Sequence, residues 1–176
     1  MKTIELRRHA ARAKGDDSLS AEGRVQAEDV GRTMSTDFSV VFISPAKRAA
    51  ETVAWLLRGQ SRRLPPHAVI PGLGSEVEDR WRSAVTGAGS SHLEAIKRVD
   101  PRLLATESAR LAEVVRSLFD HVPEGGRALA VGHSPLIEAA IYGLVGAVVD
   151  PLGDCEGVEL VRDEADRYRF QELRLT

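Results

Sequence analysis

The sequence predicts an α/β fold with a largely parallel sheet, built as one domain over residues 1–176. Three observations predict it. Short apolar runs ending in polar, Gly or Pro residues alternate with longer segments of helical period, the pattern of strands joined by crossover helices. Two of these runs lead into Ser-Pro dipeptides, Ser44-Pro45 and Ser134-Pro135, each followed by a helical pattern. The length suits a single core, since domains commonly hold about 100–200 residues.

Lys2 to Arg7 is the first strand. After a polar loop with Gly15, Asp16 and Asp17, Ser20 caps a helix to about Met34, with Val25, Val30 and Met34 as its apolar positions. Ser39 to Ile43 is a compact buried strand. Ser44 then supplies an N-cap, and Pro45 the first position, of a helix to about Leu57. The basic stretch Gln60 to Pro66 leads to a short strand, His67 to Ile70, stopped by Pro71-Gly72. From Leu73 to Ser91 the pattern weakens, and Thr86 to Ser91 reads as a mobile loop, a linker or a lid. Leu93 to Val99 is helical, and Pro101 interrupts it. The strongest helix begins near Thr106, where Leu111, Val114, Val115, Leu118 and Phe119 form a core-facing stripe. Arg127 to Val131 is a strand, and an apolar helix follows Gly132-His133-Ser134-Pro135 to about Val145. Gly157 to Arg162 and Arg167 to Leu175 alternate apolar and polar residues around Asp163 to Asp166, which predicts a hairpin at a sheet edge.

Composition removes several classes of function. With 43% hydrophobic residues the chain is not a disordered one. A formal net charge of -2 argues against a nucleic-acid partner, which calls for a strongly basic face. The first eight residues reach their charges too soon for a signal peptide, and no window has the length of a membrane span. Cys155 is the only cysteine, so neither an intramolecular disulfide nor a Cys-rich metal site is expected. The expectation is a cytoplasmic protein with no membrane partner and no resident metal or cofactor. Arg outnumbers Lys twenty to four; most of that surplus reads as surface composition.

In open α/β sheets, sites form at the carboxyl ends of the strands. Three strand ends here carry chemistry: Arg8-His9-Ala10, Ser44-Pro45-Ala46-Lys47-Arg48, and Gly132-His133-Ser134-Pro135. Singly, each histidine reads as a structural residue and Arg48 as a solvated one. Together, two arginines and two histidines beside helix N-termini form an electropositive cluster rich in N–H donors, suited to phosphate.

At these residues the sequence resembles the histidine phosphatase superfamily, branch 1, also called phosphoglycerate mutase-like. Leu6-Arg7-Arg8-His9-Ala10 resembles its Arg-His-Gly/Ala signature, and Leu19 to Ala27 its Leu-Thr-x-x-Gly-x-x-Gln-Ala segment. Ser44 to Thr52 resembles its Ser-Pro-x-x-Arg-x-x-x-Thr segment, and Val131-Gly132-His133-Ser134 its late Gly-His motif. The motifs occur in the family's order over most of the chain. The resemblance implies a three-layer α/β/α sandwich and a covalent phosphohistidine on His9. It places Arg8, Arg48 and His133 around the transferring phosphoryl group, with Ser134 beside them as a further phosphate contact. A protonated His133 would add charge, and bound phosphate should raise its proton affinity. Arg7 falls on a position that is usually apolar in relatives and is not counted in the pocket.

A general acid is sought near Leu73 to Trp81, where Glu76 is the first choice and Glu78 the second; a solvated acidic turn is the plain alternative for both. The Arg-His-Ala form, the short length and the Asp-rich early loop look more like the SixA-type protein-phosphohistidine phosphatases, which manage without the usual acid. Hydrolysis of a small phosphate monoester or of a phosphohistidine protein is therefore favoured. The alternatives are a mutase-like phosphotransferase and a noncatalytic phosphate-binding regulatory module; a metal-dependent hydrolase lacks ligand pairing beside His9 or His133. His67, His92 and His121 read as surface residues, Cys155 as an inert thiol, Trp55 and Tyr142 as packing, and Trp81 as a possible pocket residue.

Overall fold

A computed structural model describes residues 1–34 and 37–176. The described residues form a six-stranded mixed sheet in the order β3-β2-β4-β1-β5-β6. β1 (Lys2–Arg8), β2 (Val40–Ile43), β3 (His67–Val69) and β4 (Arg127–Gly132) run parallel, and β5 (Gly157–Arg162) and β6 (Tyr168–Leu173) form the antiparallel hairpin expected at one edge. Strand alternation sends successive side chains to opposite faces. Ile4, Leu6, Phe42, Ala128 and Ala130 therefore share one core with the helices α3 (Glu78–Ala88), α4 (Leu93–Val99), α5 (Pro101–Asp120) and α6 (Leu136–Val145). Val41, Ile43, Leu129 and Val131 share the other with α1 (Ala21–Thr33) and α2 (Lys47–Gly59). The three layers expected from the sequence are present.

Local chemistry explains most element boundaries. The Ser20 hydroxyl caps α1 by accepting from Gly23 N at 3.0 Å. Gly23 is required by packing: a Cβ there would stand 2.0 Å from the Ala11 carbonyl oxygen, so only glycine lets α1 start against the loop after β1. Gly31 does the same between α1 and α2, where a Cβ would lie 2.1 Å from Leu56 O.

The structure corrects five details of the sequence reading. Val25 is exposed, because α1 turns Gly23, Ala27, Val30 and Gly31 inward instead. Ser44 does not cap α2; Ala46 holds the cap position, and Asp17 Oδ2 accepts from Lys47 N at 2.8 Å. α5 starts at Pro101, not near Thr106: proline suits a first helical position, and the Asp100 carboxylate caps it by accepting from Leu103 N. The first half of the supposed loop at Thr86 to Ser91 is the end of α3, with Trp81 and Ala84 buried and Gly89 closing the helix at φ +63°. His92 caps α4, its Nδ1 accepting from Glu94 N, and its Nε2 stands 3.3 Å from Asp150, so it is not a plain surface residue. No helix among the described residues is long and apolar enough to cross a membrane.

Candidate active site

Because β2, β4 and β1 are neighbours and parallel, their carboxyl ends meet at one rim of the sheet. The rim gathers Arg8 and His9 after β1, Ser44 after β2 with Arg48 in the first turn of α2, and His133 after β4. The two histidine rings meet edge to face, with centroids 5.3 Å apart. All four residues of the sequence-predicted cluster are thus brought together.

His9 is buried, and its Nδ1 lies 2.7 Å from the Ala10 carbonyl oxygen. A carbonyl only accepts, so Nδ1 carries the hydrogen and Nε2 keeps its lone pair. Burial, set partly against that hydrogen bond and reinforced by the Arg48 and Arg8 charges, brings the His9 pKa down to about 4. The peptide behind it is fixed to α2: Ala10 N donates to Thr52 Oγ1 at 3.0 Å, and that hydroxyl donates to Arg48 O at 2.7 Å.

His133 sits between Arg48, whose guanidinium nitrogen is 3.1 Å from Nδ1, and Ser44, whose Oγ is 2.6 Å from Nε2. Guanidinium only donates, so Nδ1 accepts and the ring hydrogen lies on Nε2, directed at Ser44. Burial first, then the charge of Arg48, pushes the His133 pKa down to about 3. His133 is therefore neutral here, where the sequence led to the expectation of a protonated ring.

Arg8 donates to Leu152 O at 2.5 Å and lies 3.4 Å from Asp154. Arg48 pairs with Asp17. The Nε of each arginine is buried without a hydrogen-bond partner. An unsatisfied buried donor costs about 1–3 kcal/mol, and an anion with several oxygens could satisfy both. Arg7, one position earlier on β1, points to the other face, where it donates to Glu5 and to Cys155 O. Its exclusion from the pocket matches this placement. Ser134 lines the cleft, with its hydroxyl donating to the buried Glu138 carboxylate.

A cleft of about 310 Å³ opens from Arg48, His133 and Ser134. Its far wall is α3 with the segment before it, and carries Ser75, Glu78, Trp81, Val85 and Thr86. The structure puts Glu78 in this wall; Glu76 is exposed on the preceding turn and does not line the cleft. Helical spacing decides between them, since Glu78 stands three residues from the buried Trp81 on α3 and shares its face. The sequence reading missed Ser44 as a partner of His133 and Asp17 as a partner of Arg48. The Ser-Pro pair was read as a helix cap, and the Asp-rich loop gives no periodic signal.

The remaining candidates lie elsewhere. His67 is exposed on β3 and His121 at the end of α5. Trp55 packs beneath Arg58, and the ammonium of Lys97 lies over the ring of Tyr142. Cys155 is buried, and its thiol is pushed up to about 12 by burial. Among the described residues, no group of three or more His, Cys, Asp or Glu side chains is placed to hold a metal ion.

Paired histidines and arginines stand together at the carboxyl rim of a three-layer α/β/α sandwich. The chain belongs to the histidine phosphatase superfamily, branch 1, whose family model matches residues 3–158. Among solved structures it is similar to a phosphoglycerate mutase from Bacillus anthracis str. Sterne, at 18% identity and a TM-score of 0.73, with 97% of this chain and 92% of that one covered. It is also similar to a phosphoserine phosphatase from Entamoeba histolytica in complex with 3-phosphoglyceric acid, at 18% identity and a TM-score of 0.71, covering 100% and 98%. The protein histidine phosphatase SixA complexed with tungstate shares 19% identity and a TM-score of 0.58, over 97% and 96%. These likenesses establish the fold. No curated protein matches the chain by sequence.

Proposed function

We propose that this chain hydrolyses small phosphate monoesters through a covalent phosphohistidine on His9. The reading is carried by the His9 tautomer: Nδ1–H is committed to Ala10 O, which leaves Nε2 as a free lone pair inside a cluster of N–H donors. Arg8, Arg48 and His133 would bind the phosphoryl oxygens and neutralise charge in a loose transition state, while the Ser134 hydroxyl is committed to Glu138. Nε2 attacks phosphorus in line with the ester oxygen, the P–O bond breaks, and Glu78 gives its proton to the departing alkoxide. The Nδ1–H···O bond steadies the positive charge developing on the ring. Water then attacks phosphorus, Glu78 takes its proton, the P–N bond breaks, and neutral His9 returns.

Glu78 takes the acid role in this scheme in place of Glu76 because it lines the cleft. The helical wall formed by α3 favours a small ester over a phosphohistidine on a folded protein, which would have to carry a whole surface up to His9. Brief reaction with a labelled monoester should trap an acid-labile, alkali-stable phosphoprotein in the native chain and none in His9→Ala. Full turnover by His9→Ala would overturn the scheme.

A further inference from the structure

Behind the cleft wall lies a half-buried ion pair, Glu107 with Arg110, that takes no part in the phosphate pocket. Glu107, on α5, is only 5% exposed. Its carboxylate accepts from the Ser75 hydroxyl at 2.8 Å, from Trp81 Nε1 at 3.1 Å, and from Arg110 at 2.8 and 3.0 Å. Arg110 continues the chain of contacts, donating at 2.9 Å to the carbonyls of both Gly72 and Gly74. Two side chains one helical turn apart on α5 thus hold four points on the segment from Gly72 to Trp81: the carbonyls of 72 and 74, the Ser75 hydroxyl and the Trp81 indole. Three of the wall residues facing substrate, Ser75, Glu78 and Trp81, lie on or within that tethered segment.

We propose that Glu107 and Arg110 are positioning residues for the proton transfer to the leaving group: they hold the wall that carries Glu78 in register with the phosphate pocket. The inference rests on Glu78 being the acid. A buried carboxylate satisfied by four donors is costly to replace by a group that accepts less; Leu73 and Trp81 pack in the core and Arg80 pairs with Asp100, but between Leu73 and Trp81 the polar points of the stretch that carries Glu78 are held by Glu107 and Arg110. Burial would lift the Glu107 pKa, yet donation from Arg110, Trp81 and Ser75 outweighs it and holds the group below the usual glutamate range. The anchor stays ionised throughout the neutral range.

The test compares two leaving groups, because a displaced acid harms only the substrate that needs its proton. Para-nitrophenyl phosphate expels a stabilised phenolate unaided; an aliphatic phosphate monoester does not. Glu78→Gln should lower kcat on the aliphatic ester by about a hundredfold while largely sparing the nitrophenyl ester. Glu107→Gln should show the same selectivity, with a loss of about tenfold or more. Arg110 is partly exposed, so Arg110→Met retains a fold and should give a smaller loss in the same direction. Nitrophenyl activity serves as the internal check that the phosphate pocket is intact. Equal loss on both esters, or no loss, in Glu107→Gln and Arg110→Met while Glu78→Gln is selective would overturn the positioning role and leave the acid assignment standing. A Glu78→Gln protein that spares the aliphatic ester would overturn the acid assignment, and the inference with it.

Discussion

Anion binding should pull a proton onto His133. In the free site Arg48 donates to Nδ1 and the ring is neutral, with a pKa of about 3. A bound dianion attracts the Arg48 guanidinium and itself favours imidazolium, so the largest cause of the depression after burial weakens. If binding restores His133 only to its ordinary 6.5, the ring goes from essentially unprotonated to about three-quarters protonated at about pH 6, an uptake of about 0.8 proton per anion. The same linkage makes binding about thirtyfold tighter at about pH 5 than at about pH 8, close to 2 kcal/mol. Sulfate is the probe of choice because it does not titrate in that range. Isothermal titration calorimetry in buffers of differing ionisation enthalpy reads the proton count directly. The uptake should persist in His9→Ala and vanish in His133→Gln. Uptake below about 0.1 proton in the native protein, or survival in His133→Gln, would refute the assignment of the proton.

Four further outcomes follow from the same geometry. The depressed His9 pKa keeps the nucleophile unprotonated down to about 4, so the acid limb of kcat/KM should fall near that value and not near 6.5. For stability the sign is the opposite of that for a salt-bridged histidine, whose pKa is raised: between 6.5 and these lowered values the unfolded chain binds protons that His9 and His133 refuse, so stability falls as pH drops through that window, by about 1.4 kcal/mol per histidine per pH unit. Urea titrations at a series of pH values measure it, and a flat profile would contradict the buried neutral rings. Gly31→Ala drives a methyl group into Leu56 O and should cost about 2 kcal/mol, lowering Tm by about 4–8 °C in a thermal melt. Asp17→Asn frees Arg48 and should tighten sulfate binding by about twofold to fivefold, the worth of a partly exposed ion pair, even as the melt moves down.

Strands, their order of chemistry and the four central residues were legible because each depends on a local pattern. An apolar run followed by Arg8-His9 or Gly132-His133 marks a strand end whatever the rest of the chain does. The region from Leu73 to Ser91 was not legible, because its helix owes its stability to partners far along the chain. Trp81 is fixed by Glu107 and the segment before it by Arg110, contacts that no window of sequence contains. Which of Glu76 and Glu78 lines the cleft was not legible for the same reason, since it depends on where α3 begins. Ser44 was misread because a serine before proline is a common helix cap, and only the packing of β2 against β4 reveals that its hydroxyl meets His133 instead.

The surplus of arginine acquires meaning from what each one has to neutralise it. Arg7 spends its charge inside the sheet layer on Glu5, which also takes Arg127, so that its face of β1 is internally compensated. Arg8 and Arg48 are compensated differently, by Asp154 at 3.4 Å and by Asp17, carboxylates that remain 32% and 44% exposed. Exposed partners hold loosely, and both arginines keep a buried Nε without any acceptor. With two neutral histidines between them, the empty site carries little net charge despite its four basic residues. A site of fixed high charge would hold any anion, including the product, with equal strength. One whose charge is balanced by nearby carboxylates and completed by a proton on His133 becomes strongly cationic only when a dianion arrives, and relaxes when it leaves. In the proposed hydrolytic cycle, release of inorganic phosphate, its last event, would be made easier by the same proton leaving.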